Sequence, residues 1–234
     1  MKTIGLIGGM SWESTITYYK LINEGVHKRL GGVHSARLLM HSFDFEDIAA
    51  LQRAGEWQRS NAALIAAGQG LKQAGADVLL ICTNTMHMAA AALAEGTGLP
   101  LLHIADPLGA AIRRAGLKRV GLLGTKFTME RPDVLRGRLK SLFDLDLVTP
   151  EGADAEEVHR VIYEELCQGR ILEASRTRYR RIIARLAARG AEGVILGCTE
   201  IPLLVGPEDS TVPLFDTTAL HAAAAVDFAL EGQA

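Results

Sequence analysis

GAEGVILGCTEIP, Gly190 to Pro202, decides how this chain is read, because its outline occurs twice. Shifted back by 115 positions it lies without a gap on GADVLLICTNTM, Gly75 to Met86. Gly75-Ala76-Asp77 then faces Gly190-Ala191-Glu192, Leu79-Leu80-Ile81 faces Val194-Ile195-Leu196, and Thr83 falls opposite Cys198. Each copy reads as a helix stopped by glycine, then a short apolar run ending in small polar residues. In a parallel α/β sheet such a run is a buried strand, and ligands sit beyond its carboxyl end. Two equivalent strand ends would therefore present a hydroxyl and a thiol.

The echo extends outward from there. KRVGLLGTKFT, from Lys118, repeats the amino-terminal KTIGLIGGMSW at an offset of 116, and LPLLHIADP matches VPLFDTTAL with Pro100 opposite Pro213. An alanine-rich helix follows both. These landmarks predict an α/β fold of two similar parallel-sheet half-domains produced by internal duplication. The expected first domain is residues 1–105 plus 208–234, its carboxyl-terminal helix returning to it; the expected second is 106–207. Helices are expected at Trp12–Leu30, 45–53 and 56–74, and strands at 3–7, 37–42, through Ile81 and at 99–104. A small-molecule site is expected in the cleft between the halves.

Composition narrows the function. With 234 residues, 48% of them hydrophobic, the chain can bury a sizeable core. A net charge of −2 gives no electrostatic case for nucleic acid or an anionic membrane, and 5% aromatic residues argue against stacking on single strands. No apolar stretch approaches the roughly 18–20 residues that span a bilayer. The opening KTIGLIGG reads as a strand and lacks the parts of a signal peptide. Three cysteines, Cys82, Cys167 and Cys198, are odd in number and show no metal-ligand spacing. Free thiols suit a reducing compartment, so a cytoplasmic protein is expected.

Metal and nucleotide chemistry find little support. Gly5, Gly8 and Gly9 miss the G-x-G-x-x-G spacing, and no Gly-Lys-Ser/Thr follows. That turn reads first as the tight strand-to-helix connection any α/β protein needs, and second as amides able to bind a carboxylate. His41, His87 and His103 are scattered, so no metal site is expected. Among the thiols Cys198 stands out: Gly197 permits close approach, Thr199 and Glu200 supply polar atoms, and Pro202 suits a helix's first turn. A thiol at that helix's amino end should have its thiolate stabilised. Cys82 is one residue out of register, so strand alternation turns it to the other face. Cys167, in VIYEELCQG, reads as core.

GLIGGMSWEST, CTNTMH and GCTEIP, with the lengths between them, resemble the aspartate/glutamate racemase family, in its amino-acid-racemase branch, over essentially the whole chain. The resemblance implies a racemase that uses no pyridoxal or other cofactor, built of two α/β domains and usually a homodimer. It also implies a pair of cysteines flanking the substrate Cα, one removing a proton and the other returning it. The first of these maps onto Thr83 and the second onto Cys198, which the family assigns to L-substrates. A threonine hydroxyl is a far weaker acid than a thiol, so Cys198 is the expected base and Thr83 a holder or relay of the proton. By the same resemblance Met10, Gln52, Thr83, Asn84, Thr85, Thr125, Thr199 and Glu200 are the expected substrate-binding residues. Each also has an ordinary reading as a cap or turn residue. Arg53 and Lys126 are the candidate cations for a side-chain carboxylate.

Three functions remain open to the sequence. The first is a racemase of L-aspartate, L-glutamate or a polar analogue such as homoserine. The second is a dicarboxylate isomerase or decarboxylase on the same fold. The third is a non-catalytic amino-acid-binding protein that has lost one of the two cysteines.

Overall fold

The computed structural model describes residues 1–232. The chain divides into two compact units, one of Met1–Ile104 together with the residues from His221 onward, the other of Ala105–Leu220.

In the first unit the order is β1 (Ile4–Gly8), α1 (Trp12–Leu30), β2 (Leu38–Ser42), α2 (Phe45–Arg53), α3 (Trp57–Gln73), β3 (Val78–Ile81), a 3-10 turn at Thr85–Ala89 and α4 (Ala90–Thr97). The three strands form a parallel sheet in the order β2-β1-β3, with Ile7 level with Ile81. Every residue of β1 and β3 is buried, as the apolar runs predict for a sheet covered on both faces. Alternation divides their side chains. Ile4, Leu6, Val78, Leu80 and Cys82 pack with Tyr18, Ile22 and Val26 of α1. Ile7, Leu79 and Ile81 pack with Ile48, Leu64 and Leu93 from α2, α3 and α4.

The second unit contains α5 (Ala105–Arg114), β4 (Arg119–Leu123), α6 (Lys126–Glu130), α7 (Gly137–Phe143), β5 (Asp146–Val148), α8 (Ala153–Glu164), α9 (Glu173–Ala188), β6 (Val194–Leu196), a 3-10 turn at Ile201–Leu203 and β7 (Leu214–Asp216). Its parallel sheet runs β5-β4-β6-β7. The first three of these strands reproduce the first unit's order, which is the duplication expressed as topology. The helix α10 (Thr217–Leu230) begins in this unit, and from His221 it counts with the first. There Ala222, Ala225, Val226 and Ala229 join the cluster on the α1 side of the first sheet.

The repeated sequence landmarks do the same work twice. Gly75 and Gly190 end α3 and α9 at φ 100° and 89°, a left-handed conformation that glycine enters without the Cβ penalty. Asp77 then accepts the Thr3 amide at 2.6 Å, while Glu192 accepts the amides of Lys118 and Arg119 at 2.8 and 3.0 Å. In each half an acidic residue just before one strand ties down the start of its neighbour.

Two expectations need correction. Residues 99–104 do not form a strand comparable to β7; they make a single parallel bridge, Leu79 to Leu101. Residues 208–220 do not return to the first unit, because β7 hydrogen-bonds along β6, with Leu196 level with Asp216. Only the helix beyond it does.

Candidate active site

In the first unit the candidate residues gather at the carboxyl ends of the strands. The chain leaves β1 through Gly9 and the buried Met10, with the Gly9 amide donating to Thr15 Oγ1 at 2.9 Å. Beside it, the Cys82 amide donates to the Ile7 carbonyl at 2.9 Å and brings the end of β3 level with that turn. Thr83 follows, half-buried, and then the buried Asn84 and Thr85 enter the 3-10 turn. Gln52, buried on α2, donates to Met86 Sδ in that turn at 3.3 Å. The five residues assigned here from the sequence are thus brought to one sheet edge. The Thr83 hydroxyl makes no hydrogen bond among the described residues; what is held is its carbonyl, which accepts from His87 Nδ1 at 2.8 Å.

In the second unit the equivalent edge is built differently. Gly197 donates its amide to the Leu123 carbonyl at 2.7 Å, and a Cβ on Gly197 would stand 2.8 Å from that same oxygen. Glycine is needed for so close an approach. Thr125 caps α6 by accepting the Thr128 amide at 3.3 Å. Cys198 is half-buried, and its Sγ donates to Glu200 Oε2 at 2.8 Å. Thr199 Oγ1 donates to the same oxygen at 3.1 Å, and both Thr199 and Glu200 are buried. A carboxylate, a thiol and a hydroxyl are therefore assembled within three consecutive residues, with Thr125 at the end of the adjacent strand.

This geometry overturns the thiolate argument drawn from the sequence. The element after Cys198 is a 3-10 turn of three residues, Ile201–Leu203, too short for a useful dipole. Burial pushes the Cys198 thiol well above its ordinary value, and the neighbouring Glu200 charge pushes it further. The resting group is a thiol bonded to a carboxylate.

Other expectations fare as follows. Cys82 lies in the core on the α1 face of its sheet, and burial raises its thiol strongly, as its register predicts. Cys167 is half-buried in a short 3-10 turn and belongs less firmly to the core than expected. Arg53 is paired with Glu46, and Lys126 Nζ is paired with Glu156 at 2.6 Å, so both candidate cations are already engaged by carboxylates. Among the described residues no three His, Cys, Asp or Glu side chains are placed so that they could hold a metal ion together. His87 and His103 are not scattered after all: their ring centroids are 4.7 Å apart, with His221 5.5 Å from His87. Sequence reasoning missed this cluster because it assembles from three separate segments; the only signal was His87 at a fixed distance from Thr83 in CTNTMH.

Two parallel α/β units with polar strand ends define a class, and comparison with known proteins gives it its name. The Asp/Glu/Hydantoin racemase family matches residues 7–225, and the chain belongs to that family. It is 52% identical to a Yersinia pestis protein assigned as an Asp/Glu racemase, whose crystal structure it matches with a TM-score of 0.91 over 99% of this chain and all of that one. An aspartate racemase homologue from Pyrococcus horikoshii is 33% identical with a TM-score of 0.84, over 99% of this chain and all of that one. An aspartate racemase from Picrophilus torridus, 20% identical over 98% of this chain and 94% of its own, shares the fold with a TM-score of 0.76. Membership of a racemase family implies isomerase activity on small-molecule amino-acid substrates. No helix among the described residues is long and apolar enough to cross a membrane.

Proposed function

We propose that the protein is a cofactor-independent racemase of L-aspartate, L-glutamate or a related polar amino acid such as homoserine. Cys198 is the base toward the L-substrate, and Thr83 serves the other face of Cα. The observation that carries this reading is the 2.8 Å hydrogen bond from Cys198 Sγ to Glu200 Oε2. A buried carboxylate is an acceptor placed to take the thiol proton, and the substrate's α-ammonium supplies the positive charge that favours separated thiolate. The thiolate then takes the Cα proton and becomes thiol again. Thr83 gives its hydroxyl proton to the opposite face while taking another from solvent, so it ends unchanged. Glu200 returns its extra proton to solvent, and the net result is exchange of one Cα proton with inversion.

Amides and hydroxyls must also meet the substrate carboxylate as charge develops on the carbanion. Met10, Gln52, Asn84, Thr85, Thr125 and Thr199 are assigned that work. The family resemblance supports a cytoplasmic homodimer needing no added cofactor, which light scattering and assay without pyridoxal phosphate examine directly.

The deciding experiment incubates each enantiomer of aspartate, glutamate and homoserine with the protein in D2O. Cα deuterium is followed by NMR and configuration by chiral chromatography. Deuterated product of inverted configuration is expected. A new compound would support an isomerase or decarboxylase, and binding with no exchange would support an amino-acid-binding protein; either result ends the racemase reading.

A further inference from the structure

We propose that His87 is a positioning residue for the Thr83 face of the reaction: it fixes the turn that carries the Thr83 hydroxyl and so sets how often proton return gives inversion. This rests on the racemase reading above. His87 is buried in the 3-10 turn at Thr85–Ala89. The Thr83 carbonyl can only accept, so the 2.8 Å bond requires the proton on His87 Nδ1. The Ile104 amide donates to Nε2 at 3.2 Å, so that nitrogen must carry the lone pair. One neutral tautomer satisfies both bonds and clamps the end of β3 to the segment that follows α4.

The clamp is itself buttressed. His221 Nε2 donates to the Leu102 carbonyl at 2.8 Å, and its Nδ1 accepts from the Tyr18 hydroxyl at 2.9 Å. Its ring stands edge-on to His87, with centroids 5.5 Å apart, and His103 lies 4.7 Å away on another side. Two aromatic rings from separate segments stand against His87, and Tyr18 holds one of them.

A satisfied core histidine is the ordinary reading of such a group. What separates His87 from it is the contrast with the other strand end. Cys198 has its reacting atom held directly, by Glu200. The Thr83 hydroxyl makes no hydrogen bond among the described residues, so no polar partner holds it directly, and what His87 holds is the backbone that carries it. The residue equivalent to His87 in the repeat is Pro202, which can make no side-chain hydrogen bond.

The test uses two conservative variants. In His87→Asn an amide N–H takes the place of Nδ1–H and can still donate to the Thr83 carbonyl. In His87→Gln the amide reaches the Nε2 position and serves only the Ile104 side. With L-substrate in D2O, His87→Asn should keep the wild-type ratio of inverted to retained deuterated product to within about twofold. His87→Gln should lower that ratio about tenfold or more, the order expected of a small displacement of a reacting group, while total exchange changes little. Equal effects of the two variants on the ratio, or total exchange falling in step with inversion, would overturn the proposal. Should either variant fail to fold, nitrogen-15 NMR of the wild type reads the clamp directly. Protonated Nδ1 with unprotonated Nε2 and a slowly exchanging Ile104 amide is expected, and the opposite tautomer overturns it. Absence of any exchange by the wild type defeats the racemase reading instead, and the tautomer measurement then still decides whether the clamp exists.

Discussion

The turn after β3 and the turn after β6 occupy equivalent places in a duplicated fold, yet they present their chemistry in opposite ways. At the second, the thiol is tethered: Cys198 Sγ donates to a buried carboxylate that also receives the Thr199 hydroxyl. At the first, the side chain has no hydrogen-bond tether among the described residues and the backbone is clamped, by an imidazole bridging the Thr83 carbonyl and the Ile104 amide. Duplication supplies the scaffold twice, including the acidic anchors Asp77 and Glu192. On the proposed reading, one end is suited to making a base and the other to passing a proton. Strand topology can be inherited whole, whereas acid strength depends on which few atoms touch the titrating group.

The hardest test of the comparison removes the base. Cys198→Ala should lower turnover by at least about 10³-fold with the fold intact, since no other strong base is assigned. Normal racemisation by a folded variant would erase the difference between the two ends. Thr83→Cys attacks the contrast from the other side. By supplying a thiol where the family pattern has one, it should raise D-substrate turnover about tenfold or more, measured as initial rates and Cα exchange for each enantiomer. A wild type that already turns over both enantiomers with similar kcat, unaffected by the substitution, would end the asymmetry argument.

Glu200→Gln sharpens the account of the tethered end. Losing a charged acceptor should reduce kcat by about ten- to hundredfold. The Cys198 thiol should nonetheless titrate at lower pH, because Glu200's charge and hydrogen bond both hold it up. Alkylation rates of Cys198 against pH separate these effects, and a thiol whose titration rises would show that the carboxylate had been stabilising the thiolate.

The clamped end makes a prediction in pH. Burial, with His103 and His221 adding to it, lowers His87 well below its ordinary 6.5. The unfolded chain therefore binds a proton below about pH 6.5 that the folded chain refuses. Stability should be fully present above that pH and fall as pH drops, by up to about 1.4 kcal/mol per unit for this group until its folded value is reached. Urea unfolding at pH 7.5 and 5.5 measures the loss, and His87→Asn should flatten it. The smallest effect on activity belongs to Cys82→Ala. With its side chain in the α1-side core, the variant should lose about 1–2 kcal/mol of stability as a small cavity opens. Its turnover should stay near wild type; a loss as deep as that of Cys198→Ala would move the assignment from Thr83 to Cys82.

Some of this was readable from residues alone because it depends on local pattern. Helix α1 at Trp12–Leu30 and α2 at Phe45–Arg53 fall where caps and glycines place them. A fixed offset sets Thr83 and Cys198 at equivalent places after β3 and β6, and the inward turn of Cys82 followed from the period of two along a strand. Eight of the nine candidate site residues follow strand ends, as motifs at strand ends must, and Gln52 sits in the last turn of α2 against Met86. Residues 99–104 and β7 look alike in sequence, yet only β7 forms a ladder, because pairing needs a partner edge at the right distance and no local pattern encodes that.

What tertiary structure alone decided is the protonation chemistry. In the sequence, GCTEIP suggested a thiolate under a helix dipole; in the fold the following turn is too short, Cys198 is half-buried with its thiol pushed up by desolvation, and Glu200 turns back to accept a hydrogen bond from it. His41, His87 and His103 are evenly unpromising in the sequence, and folding gathers His87 and His103 with His221 while leaving His41 exposed on β2. Periodicity along a chain determines which face a side chain takes. A titrating group responds instead to burial and to neighbours a few ångströms away, and those neighbours come from segments whose meeting is decided only when the sheet and its helices pack.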